Sequence, residues 1–151
     1  MSLTYQQEEE RNKTVVKSFI EEFWGKGRAE LAPQIIDTNI VDHNEMPGQA
    51  RGIEGQKQAL TMFRAAFPDL WIKLDLLLAS RDYVVDRWTA TGTHKGDLMG
   101  IPPTGKSIKI TGIDISRVAN GKVAEIWHQE DIMTMMQQLG VVPSPGTPQA
   151  K

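Results

Sequence analysis

GIDISRVANGKVAEIWHQED, residues 112–131, is the stretch on which the reading of the fold turns. Two runs rich in β-branched and apolar residues flank Asn120 and Gly121, a dipeptide that favours the left-handed backbone of a tight hairpin. Working back from that hairpin, Val84 to Thr93 alternates in the same way. So do Leu70, Ile72, Leu74, Leu76 and Leu78, which are separated by Trp71, Lys73 and Asp75. Before Asp69 the period lengthens. Ile53, Leu60, Phe63 and Phe67 mark a helix stopped at Pro68, and Leu31, Ala32, Ile35 and Ile36 a short one. Val15, Val16, Phe19, Ile20, Phe23 and Trp24 form one stripe of a long amphipathic helix over residues 8–24, which Gly25 and Gly27 end. Asn39 to His43 reads as a brief extended piece, and residues 131–139 as a last helical turn or two. Helices followed by antiparallel strands predict an α+β domain. Its sheet of four or five twisted strands curls around the first helix and leaves a pocket.

Outside these elements the sequence is quiet. With 151 residues and 40% hydrophobic side chains the chain is long enough for one core without covalent staples. Residues 1–142 read as a single domain, and the Pro-rich tail 143–151 is expected to be disordered. Zero cysteines exclude thiol catalysis, disulfides and thiolate zinc sites. Seventeen basic against nineteen acidic residues form no cationic surface, so nucleic acid is not an expected partner. No apolar run is long enough to span a bilayer and residues 1–11 lack the features of a secretory signal, so a cytoplasmic protein without membrane contact is expected. The histidines and acids are scattered with no ligand spacing, and no metal is expected. The loop HKGDLMGIPPTGK, residues 94–106, has the wrong spacing for a phosphate loop. It is expected to cross the mouth or edge of the sheet.

The chemistry-bearing candidates are Asp114 and His128. Asp114 lies between Ile113 and Ile115, where a carboxylate must face solvent, a partner or a polar pocket. Its partner depends on the register of the hairpin. A two-residue turn at Asn120 and Gly121 sets Asp114 opposite Trp127 and sends His128 to the other face. A type I turn at Ala119 and Asn120, with Gly121 as a bulge residue, sets Gly112 opposite His128 and makes Asp114 its diagonal neighbour. The second register is preferred, because it gathers Ala124, Ile126 and His128 beside Ser116, Asp114 and Gly112 on one half-polar surface. There a carboxylate favours the imidazolium while burial disfavours both charges, which places His128 near the working pH as a proton acceptor and donor. A structural hydrogen bond between strand side chains is the competing reading.

Around that pair, His43 in VDHN and His94 at the end of TGTH are candidates for substrate binding. Either is otherwise a turn or strand-end residue. Phe19, Phe23, Phe63 and Trp88 are core residues by type, and as candidates they floor an apolar pocket.

FIEEFWGKG, IVDHNEMPGQARGIEG, LTMFRAAFPDL, GTHKGDLMGIPPTGK and the closing hairpin together resemble the SnoaL-like polyketide cyclases, or ester cyclases, of the nuclear-transport-factor-2-like superfamily, over residues 12–140. The resemblance implies a cone-shaped barrel, a curved, mostly antiparallel sheet wrapped around N-terminal helices and enclosing a pocket. It also implies a homodimer without cofactor. The implied reaction is an intramolecular aldol closure of a hydrophobic carbonyl or ester substrate, in which a base removes a proton between two carbonyls and an acid protonates the new alkoxide. The family's aspartate after the last-strand tryptophan corresponds to His128, and a histidine in the preceding strand to Asp114, so the two residue types are exchanged. A non-catalytic ligand-binding dimer, or an isomerase, dehydratase or epoxide hydrolase using the same pocket, are the alternatives.

Overall fold

The computed structural model describes residues 2–146, so 147–151 of the expected disordered tail lie outside the described residues. The first helix, α1 (Tyr5–Ser18), starts earlier than the apolar stripe because Thr4 and Gln7 form a reciprocal capping box. It runs on into a π-helical turn, Phe19–Trp24. A short 3-10 turn (Ala29–Leu31) leads into α2 (Ala32–Ile35), and then β1 (Ile36–Asp42) begins. Ile36, expected at the end of a helix, is the first residue of this strand. After α3 (Gly52–Ala66) come β2 (Trp71–Ser80), β3 (Tyr83–Thr93), β4 (Ser107–Ala119), β5 (Lys122–Glu130) and α4 (Ile132–Gln138).

The five strands form one curved sheet in the order β1-β5-β4-β3-β2. All neighbours are antiparallel except β1 and β5, which run parallel. The sheet does not close into the expected barrel: β1 and β2 remain its two edges, and the helices cover the concave face in place of further strands. Between sheet and helices lies the core, with Phe19, Phe23, Phe67, Val84, Leu98 and Met135 almost wholly enclosed. Arg64 of α3 joins the helical end to the sheet by donating to the carbonyls of Trp24 and Leu70, each at 3.2 Å.

Two bulges change which residues face inward. In β2 the pairing slips at Asp75, since Leu74 faces Trp88 while Leu76 already faces Arg87. Ile72 and Leu74 therefore point to the core, whereas Leu76 and Leu78 are 47% and 56% exposed, and Leu77 and Ala79 replace them. Unbroken alternation through Leu78 does not hold. In the last hairpin Asn120 and Gly121 are both left-handed, with φ of 52° and 75°, and Ala119 faces Lys122. This is the two-residue turn, not the bulged turn the surface argument preferred. The extra residue sits further along, at Ala124, between the pairs Val118–Val123 and Arg117–Glu125. Past that bulge Ile126, His128 and Glu130 turn to the concave face. Asp114 then lies directly opposite His128, where neither expected register had placed it.

Candidate active site

A cavity of about 300 Å³ opens between the concave face of the sheet and the helices, within the size range of small-molecule sites. Its walls are apolar: Phe19, Ile20 and Trp24 come from the π turn, Phe63 from α3, and Ile110 and Ile126 from the sheet. All three lie within the six-residue π turn, Phe19 and Ile20 at its start and Trp24 at its end. Polar groups gather at one end, where β1, β4 and β5 meet: Asp42, Asn44, Asp114, His128 and Glu130.

His128 is the centre of that end. Its Nε2 lies 2.9 Å from Asp42 Oδ1, and its Nδ1 is hydrogen-bonded to Glu130 Oε1. The backbone N–H of His128 donates to Asn44 Oδ1 at 2.8 Å, tying β5 to the end of β1. Burial alone would favour the neutral ring. The two carboxylates outweigh it, and the His128 pKa is pushed up to about 10. The ring is therefore an imidazolium at neutral pH, above the range expected from a single acidic neighbour.

Asp42 is built to stay ionised. Its Oδ1 also accepts the Asn44 backbone N–H at 2.8 Å, and its Oδ2 takes the side-chain amide of buried Gln56 at 2.9 Å. Burial pushes its carboxyl up, but the bonds from His128, Asn44 and Gln56 hold it below the usual value.

Asp114 differs from both. It is 4% exposed, and its Oδ2 accepts the indole N–H of Trp88 at 2.9 Å. The indole can lie across β4 only because residue 112 is glycine: a Cβ there would stand 2.1 Å from the ring. The hydrogen bonds of the His128 ring go to Asp42 and Glu130, so the strand-to-strand hydrogen bond of the competing reading is not formed between Asp114 and His128. They interact by charge across the ladder. Burial is the main cause that pushes the Asp114 carboxyl up to about 6, with the Glu130 charge adding to it and Asp86, His128 and Trp88 opposing.

Of the expected binding residues, Phe19, Phe63 and Trp88 line the cavity. Phe23 does not; it is buried behind Phe19, against which it stacks at 5.7 Å. His43, in the turn just after β1, points to the side opposite Asp42, which takes the inward position. Its ring stacks on Trp127 at 4.6 Å, and its Nε2 meets Glu125 at 2.7 Å. His94 is fully enclosed against Phe67, outside the cavity wall. Its Nδ1 accepts the Thr104 backbone N–H at 3.2 Å, so it anchors the loop that follows β3. From that loop Met99 reaches the cavity.

The residues that sequence reasoning passed over as site members are Asp42, Asn44, Gln56 and Glu130. Glu130 was recoverable, being two residues beyond His128 and thus on its face of β5. Asp42 and Asn44 are the neighbours of the histidine that was chosen.

The SnoaL-like polyketide cyclase family matches residues 14–139 of the chain. A candidate polyketide cyclase from Bacillus cereus ATCC 10987 has a similar structure, with 34% identity, a TM-score of 0.80, and coverage of 93% of this chain and 87% of its own. IdmH of Streptomyces antibioticus, also described as a candidate polyketide cyclase, is 30% identical with a TM-score of 0.75, covering 85% of this chain and 98% of its own. TsrD from Streptomyces laurentii is 26% identical with a TM-score of 0.81, covering 93% and 100%. The chain matches none of the curated proteins.

Proposed function

Because the chain belongs to the SnoaL-like polyketide cyclase family, we propose that it closes a ring in a hydrophobic carbonyl or ester compound by cofactor-independent acid/base catalysis. The observation that carries the reading is the contrast between two carboxylates. Asp42 is spent on holding an imidazolium, while Asp114 is buried at the polar end of the cavity with a raised proton affinity. Asp114 is the base. It takes a proton from the carbon between two carbonyls, and the electron pair left on that carbon forms the new C–C bond to a further carbonyl elsewhere in the substrate, whose π electrons pass to its oxygen. The alkoxide that results takes a proton from the His128 imidazolium, and exchange with water returns the proton from Asp114 to His128. Asp42 and Glu130 hold the ring and keep it charged, and Phe19, Phe63 and Trp88 receive the apolar body of the substrate.

The rate then depends on an ionised Asp114 and a protonated His128. Turnover rises as pH passes about 6 and falls as it passes about 10. An aryl 1,3-diketone in heavy water tests the first step without knowledge of the natural substrate, because deuterium enters at the central carbon. The wild-type protein accelerates that exchange, and Asp114→Asn loses roughly 10² to 10⁴ of the acceleration. Equal exchange rates, with the diketone still bound by both proteins, would replace the enzyme by a ligand carrier.

The reading includes a cytoplasmic homodimer. Supporting the dimer, the convex face of the sheet carries apolar rows: Leu78, Val85, Ile115 and Trp127 run across four strands, and Leu76 and Ile113 flank Arg87 one rung away, with Leu76, Leu78, Ile113 and Ile115 exposed and Val85 and Trp127 half-buried. Among the described residues, no helix is long and apolar enough to cross a membrane.

A further inference from the structure

Asp86 is fully buried in the middle of β3, and the proposed reaction leaves it unused. It faces the concave side between Val84 and Trp88, and its direct partner across the β3–β4 ladder is Asp114. Two carboxyls thus face each other across the ladder under the floor of the pocket, and only Asp114 reaches the cavity wall.

The surroundings settle which of them keeps a proton. Among the described residues, neither oxygen of Asp86 receives an N–H or O–H bond, and Ser116 Oγ, nearby on the same face, is also without a partner. Asp114 accepts from Trp88 on β3 and feels the charges of His128 and Glu130 on β5, with Asp42 on β1 beyond the imidazole ring. A carboxylate with no donor in an apolar interior is strongly disfavoured, whereas an un-ionised acid needs only an acceptor, and Asp114 is the acceptor it faces.

We propose that Asp86 is a positioning residue: it retains its own proton at neutral pH and donates it across the ladder to the Asp114 carboxylate. With the Trp88 indole, this holds Asp114 between two donors as it enters the pocket. The inference rests on the reading of Asp114 as the base. In support, burial and the Asp114 charge push Asp86 up to about 9, above Asp114, so the pair gives up its protons in two separate steps and bears a single charge at neutral pH. A donor from Asp86 also restrains the rise of the Asp114 pKa that burial causes.

Carbon-13 NMR titration of the aspartate carboxyls in the whole, ligand-free protein tests this. The wild-type spectrum has the Asp86 carbon un-ionised at pH 7.5 and the Asp114 carbon inflecting near the lower step. Asp86→Leu removes the donor and raises the Asp114 midpoint by about one unit, a tenfold change in proton affinity. Asp86→Asn restores a donor of the same shape and brings the midpoint most of the way back. An Asp86 carbon already ionised at pH 6, or an Asp114 midpoint that stays put or falls in Asp86→Leu, overturns the proposal. If the leucine variant does not fold, the wild-type titration and the asparagine variant decide alone. Failure here is distinct from failure of Asp114 as the base, which the deuterium-exchange rates of Asp114→Asn report.

Discussion

His128 has a consequence for stability that is independent of any substrate. Its folded pKa, about 10, lies above the ordinary 6.5, so the folded state binds its proton more tightly than the unfolded chain does. The stabilisation this gives is fully present below pH 6.5 and is lost as pH rises through 10. Urea midpoints measured from pH 6 to pH 10 should therefore fall more steeply in the wild-type protein than in His128→Gln. Parallel curves would mean that the imidazole is not clamped by Asp42 and Glu130. At this scale the sequence was legible in residue type more than in direction. Asp114 and His128 stand out because a carboxylate and an imidazole interrupt apolar strands. Choosing His43 over Asp42 missed by one residue, and in a strand one residue is the whole difference between the pocket and the outer face.

The hairpin of β4 and β5 is the element on which the site depends. Its turn holds Asn120 and Gly121 at positive φ, and its bulge at Ala124 sets which residues beyond it face inward. Gly121→Ala places a side chain at φ 75° and should cost about 1–2 kcal/mol of stability, measured by denaturant unfolding. A loss well below that range would mean the turn relaxes to another type. The Asn-Gly signal was readable, because left-handed backbone is demanded locally. The bulge was not: Ala124 carries no local mark of it. It is selected because burying Ile126 and leaving Trp127 to stack with His43 on the outer face satisfies more of the fold than an unbroken ladder would. Asp75 plays the same part in β2, where the bulge frees its carboxylate to accept from Arg87 at 3.0 Å and Thr89 at 2.6 Å.

For the molecule as a whole, the convex apolar rows are where the dimer proposal is tested. Ile113 and Ile115 are 51% and 40% exposed, more than a strand centre ordinarily leaves to water. Sedimentation equilibrium should give a dimer for the wild-type protein and a monomer for the double variant Ile113→Glu, Ile115→Lys, with the helical circular dichroism unchanged. A wild-type monomer at high concentration would remove the dimer from the proposal. From the sequence alone come the division into helices and strands, the α+β class, the tight turn and the two residues that interrupt the last hairpin, since each follows from periodicity or from the backbone demands of neighbouring residues. Only the tertiary structure decides that Asp42 and Glu130 clamp His128, that Asp86 lies behind Asp114, and that His43 and His94 stand outside the pocket. Those outcomes rest on pairing between residues far apart in the chain, on the two bulges, and on which face each strand buries, and none of these is encoded within one segment.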